Sequence, residues 1–185
     1  MQLTKILQVI NYFSDKIKSI NKLKLIKLIY LLDKYHILNY GRLVTNDTYF
    51  AMKKGPVGSF TKDILWLNEF LSEEDKKLIK QYIYIDGHNV IQKKKFDDYD
   101  LLSESEIDGL NFVIDKFGKY SNSRLIDYTH EYPEWKQYEF ALNEGVSSSV
   151  EIAKEDLVSV IKDNIFNVSE ETLCHSREIV TGCFE

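Results

Sequence analysis

Between Asn21 and Gly41 the chain reads Lys-Leu-Lys-Leu-Ile-Lys-Leu-Ile-Tyr-Leu-Leu-Asp-Lys-Tyr-His-Ile-Leu-Asn-Tyr, and this run limits the fold more than any other stretch. Wound as an α-helix, it places Leu25, Leu28, Ile29, Leu32, Tyr35 and His36 on one broad face, with Ile26 and Tyr30 on its flank. Only a narrow strip carrying Lys24, Lys27 and Lys34 is left for water. A helix so nearly apolar all round belongs at the centre of a domain. Asn21 is placed to cap its start and Gly41 to end it.

The flanking segments supply the layers such a helix needs. Leu3, Ile6, Leu7, Ile10, Phe13 and Ile17 recur at three- and four-residue steps, which predicts an amphipathic first helix. Residues 47–53, with Thr48, Tyr49 and Phe50, predict a short strand, and Lys54 to Gly58 a turn. Ser59 is read as the cap of a helix with Phe60, Ile64, Leu67 and Leu71 on one face. Ser72, followed by three acidic residues, opens another to about Gln81. Tyr82 to Ile91 reads as a hairpin about Asp86-Gly87. Ser103 to Glu106 has the capping-box spacing before a helix that Gly118 ends. Asn122 or Ser121 opens a short helix, Pro133 suits the first turn of the next, and Trp135, Tyr138 and Leu142 keep helical spacing. Ser147 to Ser149 is read as a loop and Ala153 to Lys162 as a last helix. The expected fold is mainly α, a compact helical domain around a central buried helix with a small antiparallel β element. Its expected extent is residues 1–165, with 166–185 as a mobile or partner-dependent tail.

The chain has 185 residues, enough for one core and too few for two ample domains. No stretch approaches the roughly 18 apolar residues of a membrane span, so a soluble, cytoplasmic protein is expected. Cys174 and Cys183 sit too near one end to staple a fold and are read as reduced thiols. The net charge of −5 divides unevenly: residues 1–95 hold 17 basic against 9 acidic side chains, residues 96–185 hold 7 against 20. The lysines are scattered rather than gathered with stacking aromatics, which argues against nucleic acid and for a protein partner.

Lys24-Leu25-Ile26-Lys27-Leu28-Ile29-Tyr30-Leu31-Leu32-Asp33, then Gly55-Pro56-Val57, then Thr129-His130-Glu131-Tyr132-Pro133-Glu134-Trp135 occur in the order and approximate spacing of the Panacea or SocA-like domain, which the chain resembles. The resemblance implies a domain of phage-associated and toxin–antitoxin operons that neutralises a toxin by direct contact. It implies no cofactor. An inhibitor of a host defence protein, and an adaptor presenting its target to a protease, are alternatives of the same interaction class. Gly58-Ser59 departs from the bulkier residues common after the tripeptide.

Lys27, Leu28, Tyr30, Asp33, His130, Pro133 and Trp135 are read as motif residues with structural roles. Asp33 should be partly buried, with a donor such as His130 or a backbone amide to meet its charge. Tyr49, Lys53, Lys54, Gly55, Pro56 and Val57 form the expected partner-binding strand and rigid turn, with the lysine strip as a possible extension. His130-Glu131 lacks the second histidine of a zinc-peptidase motif, and Cys174, His175 and Cys183 lack a fourth ligand at a recognised spacing. No metal site, no catalytic set and no enzyme activity are expected, and monomer and dimer stay equally open.

Overall fold

A computed structural model describes residues 2–163 and 165–183. The apolar stripe of the first helix, α1 (Gln2–Lys16), is buried from Leu3 through Phe13. A two-residue strand, β1 (Ile20–Asn21), leads into the central helix α2 (Lys22–Tyr40). The caps fall where the sequence puts them. Asn21 accepts from the Leu23 amide at 2.9 Å, and Gly41, at φ 66°, ends the helix with its N–H on the Ile37 carbonyl.

Next come β2 (Tyr49–Met52), β3 (Gly55–Gly58), α3 (Ser59–Trp66), α4 (Glu73–Tyr82), β4 (Ile83–Asp86) and β5 (Asn89–Gln92). They are followed by α5 (Glu104–Phe117), α6 (Asn122–His130), α7 (Pro133–Lys136) and α8 (Glu139–Asn143). The chain then forms β6 (Ser149–Glu151), a 3-10 turn (Lys154–Val158) and α9 (Glu170–Thr181). The fold is mainly helical with two small antiparallel sheets, in the orders β1-β5-β4 and β3-β2-β6. Helix α2 lies between them, touching α1, α5, α6, α9 and β3. No helix among the described residues is long and apolar enough to cross a membrane.

Six local expectations give way to longer-range contacts. Residues 54–58 are not a turn: Gly55 to Gly58 pair with Tyr49 to Met52, so the hairpin bends at Lys53-Lys54. Helix α3 is not capped by Ser59. The Asp47 carboxylate reaches across from the loop before β2 and accepts from the Phe60 amide at 2.9 Å and the Thr61 amide at 2.8 Å. A Cβ on Gly58 would collide with that carboxylate, which accounts for a glycine there. The same helix stops at Trp66 rather than running to Leu71, because Leu67 turns left-handed and Asn68 folds back onto Asp63.

The other three lie towards the end of the chain. Ser149 leaves its expected loop to start β6, which pairs with β2, and the helix expected over residues 153–162 is only the 3-10 turn. Beyond residue 165, Phe166, Val168 and Leu173 are buried, and Ser176 Oγ donates to the Leu38 carbonyl at 2.9 Å. The expected tail therefore carries a helix packed on α2, although single apolar residues spaced along it gave little periodicity.

The cap on α3 is testable. Asp47→Ala leaves two amides at the helix start without their acceptor and should cost about 1–2 kcal/mol, read as a lower urea midpoint at unchanged slope.

Candidate functional site

The lysine strip of α2 does not face water. Lys24 Nζ, half-buried, donates to the Gly118 and Tyr120 carbonyls at 2.6 and 3.0 Å, a cation at the negative end of α5. Lys27 and Lys34 are fully buried. Their stems pack among apolar residues while each amine finds an acceptor inside. The strip is therefore removed from the candidate contact surface, because β3, α6, α7 and the 3-10 turn cover it.

Lys27 Nζ donates to the Pro56 carbonyl at 2.7 Å, and burial pushes its amine well below the usual lysine range. Gly55 makes room for it. A Cβ there would stand 2.7 Å from Lys27 Nζ and 2.8 Å from Thr129 Oγ1, and the backbone at φ 95° disfavours any side chain. Gly55 and Pro56 are thus buried strand residues holding a lysine, and Val57 is buried beside them.

Asp33 is 1% exposed and surrounded by donors. The amides of Val44 and Thr45 reach it at 2.7 and 3.0 Å, the Tyr49 hydroxyl at 2.7 Å, and the Thr45 hydroxyl also donates to it. Burial raises its pKa to about 6 against the pull of these donors. His130 is not among its partners. Tyr49, expected on a binding surface, is turned inward by this bond and is 2% exposed.

Lys34 donates to Glu134 at 2.5 Å, to the Leu157 carbonyl at 2.8 Å and to Ser159 Oγ at 3.1 Å, and lies over the Tyr132 ring. Glu134 also accepts from the hydroxyls of Tyr30, at 2.7 Å, and Ser159. Pro133 opens α7 as expected. Trp135 is 1% exposed, donates to the Met52 carbonyl at 2.8 Å, and stacks on His130 at 3.4 Å between ring centres. Leu28 lies in the apolar core.

A cleft of about 420 Å³ between α7, the 3-10 turn and α9 reaches Glu134 and Ser159. Its serine does not form a nucleophile pair with Lys34. The hydroxyl proton is directed at Glu134, and the lysine is a donor to three acceptors with no lone pair facing the serine.

A second groove has different chemistry. It holds about 580 Å³ between the start of α2, the β2–β3 bend and α3. Lys22, Lys53, Lys54 and Lys62 line it with Trp66, which is 50% exposed, over a floor that includes Ile26, Met52 and Val57. Lys22 Nζ sits 4.8 Å from the Trp66 ring centre. Lys53, Lys54 and Val57 of the expected binding set belong to this groove. Lys22, Lys62 and Trp66 were not picked out from the sequence. The available signal was Trp66, which falls off the apolar face of its helix and one turn from Lys62.

Two tests follow from the buried groups. Glu134→Ala strands the Lys34 charge in the core and should lower unfolding free energy by about 3–5 kcal/mol, while Lys34→Met/Glu134→Leu loses less; urea titration compares them. His130 has its pKa lowered to about 4, by burial first and Lys27 second, and its Nε2 has no hydrogen-bond partner among the described residues. The unfolded chain therefore takes up a proton near pH 6.5 that the folded one refuses, and stability falls as pH drops towards 4. Asp33, raised to about 6, acts with the opposite sign in that window. The difference between wild type and His130→Asn isolates the histidine, and roughly 1–3 kcal/mol of acid sensitivity should disappear in the variant.

Among curated proteins and among solved structures, none matches this chain. The family model of the antitoxin SocA-like, Panacea domain matches residues 25–136. That stretch runs from the start of α2 through α7 and contains Lys27, Tyr30, Asp33, Lys34, Gly55, His130 and Glu134. Since the match covers more than half of the chain, the protein belongs to the antitoxin SocA-like, Panacea domain family.

Proposed function

We propose that this protein is an antitoxin that neutralises a protein toxin by direct contact, covering the toxin's working surface and performing no chemistry of its own. The supporting observation is how its charged groups are divided. Lys27, Asp33 and Lys34 of α2 and Glu134 of α7 are 0–1% exposed and engaged with one another, with neighbouring hydroxyls or with backbone. Lys53 and Lys54, open to solvent, gather instead with the partly exposed Lys62 and the buried Lys22 around an apolar-floored groove beside a half-exposed tryptophan. Buried groups of the first kind build a scaffold, whereas an aromatic rimmed by charge is what protein contacts use. Lys53 and Lys54 remain the contact residues of the hairpin, with Gly55, Pro56 and Val57 setting its shape.

The test is co-expression with the product of the adjacent gene. That product alone should arrest growth, and co-expression should restore it and yield a complex that survives affinity capture and gel filtration. Growth arrest that persists with both proteins present, and no recoverable complex, would refute the antitoxin reading.

A further inference from the structure

We infer that the groove between α2, the β2–β3 bend and α3 receives an acidic segment of the protein partner, one that also carries a large apolar side chain.

The charge pattern leads to this. Elsewhere on the surface some lysines meet carboxylates, as Lys5 does Glu106, Lys18 and Lys95 do Asp15, Lys76 does Glu73 and Lys136 does Glu131, whereas others, such as Lys77 and Lys80 on α4, stand singly without one among the described residues. Among the described residues, Lys22, Lys53, Lys54 and Lys62 form no ion pair, and no acidic side chain lines their groove. Four like charges around one concavity repel each other and focus a positive potential into it. Solvent screens part of this repulsion, and carboxylates from outside would neutralise it. Lys22 makes the point most sharply. Its residue is 8% exposed, burial lowers its amine's pKa, and its ammonium has a tryptophan face beside it instead of an anion.

The floor and wall define the second requirement. Ile26, Met52 and Val57 offer aliphatic surface, and Trp66 exposes half of its ring, so carboxylates alone would leave this surface wet. A Leu, Ile, Met or Phe among the acidic residues would cover it. Nucleic acid fits less well. A phosphate backbone would meet the lysines and leave the aliphatic floor unfilled, and residues 96–185, with 20 acidic against 7 basic side chains, would repel it.

This assignment rests on the antitoxin reading for the partner's identity, but the groove can be tried without a toxin. A fluorescein-labelled peptide alternating glutamate and leucine should bind the full chain, with anisotropy that falls as salt is raised. A lysine–leucine counterpart and a labelled oligothymidylate should not bind. Lys54→Glu/Lys62→Glu should weaken the acidic peptide at least tenfold, and Lys77→Glu on α4, outside the groove, should not. The reversed lysines are without ion pairs among the described residues, so circular dichroism and melting should stay as in wild type. Binding should also shield Trp66 from acrylamide; the other tryptophan, Trp135, is already buried and gives a constant background.

With the captured toxin, the same double variant should raise Kd at least tenfold and weaken growth rescue. Unchanged affinity for both toxin and peptide in the folded double variant would overturn the groove while leaving the antitoxin reading standing. Tight oligothymidylate binding lost in that variant would overturn it in favour of a phosphate-binding face. Failure of growth rescue with peptide binding intact would remove the toxin and keep the site.

Discussion

A charge taken fully out of water must be met inside the protein, and α2 carries three groups at 0–1% exposure, Lys27, Asp33 and Lys34, with the half-buried Lys24 at its edge. Each is met by a different part of the chain. Lys24 takes the end of α5, Lys27 takes β3, Asp33 takes the loop from Val44 to Tyr49, and Lys34 takes α7 with the 3-10 turn. Burial of leucine and isoleucine would hold these elements against α2 in many orientations, because apolar attraction has no direction. Hydrogen bonds do have direction, and a misplaced element would leave a buried charge without its partner. The polar groups of α2 thus determine which element docks where, while its apolar groups supply the attraction.

This accounts for features that look unrelated along the chain. Gly55-Pro56 is a common dipeptide, but here the glycine admits a buried amine and the proline carbonyl binds it. Proline lacks an N–H, so it suits the edge of the β3-β2-β6 sheet, where only its carbonyl is required. Glu134 stands between Pro133, which starts a helix, and Trp135, which fills the core and bonds to Met52 of β2. One short segment therefore ties helix start, buried ion pair and sheet together around α2.

The sequence made the outline of the fold readable where the deciding forces are local. Asn21 and Gly41 bound α2 as expected, Pro133 begins α7, and the Asp86-Gly87 hairpin forms. It misled where residue type was taken for location. Lysines on a helix normally mean solvent, so Lys27 and Lys34 read as a surface strip. The contrary clue was that Ile26, Tyr30 and Leu31 crowd that strip, leaving α2 no face for water. Asp47 capping α3 and Tyr49 turning onto Asp33 depend on chain segments more than ten residues apart meeting in space, and no local pattern encodes either.

The groove was half legible for the same reason. Lys53 and Lys54 could be placed beside Gly-Pro from sequence alone, but Lys22, Lys62 and Trp66 come from two other elements and meet them only after folding. Their assembly follows from the core. Lys27 pulls β3 onto α2, which sets the Lys53-Lys54 bend near the first turn of that helix, and Asp47 fixes the start of α3, which aims Lys62 and Trp66 across the gap. A surface built this way inherits the rigidity of the buried polar contacts beneath it, and a rigid surface gives up little conformational entropy when a partner arrives. The same interior can therefore stay fixed while changes at the rim retune charge and shape, since none of the four groove lysines forms an ion pair within the described part of the fold.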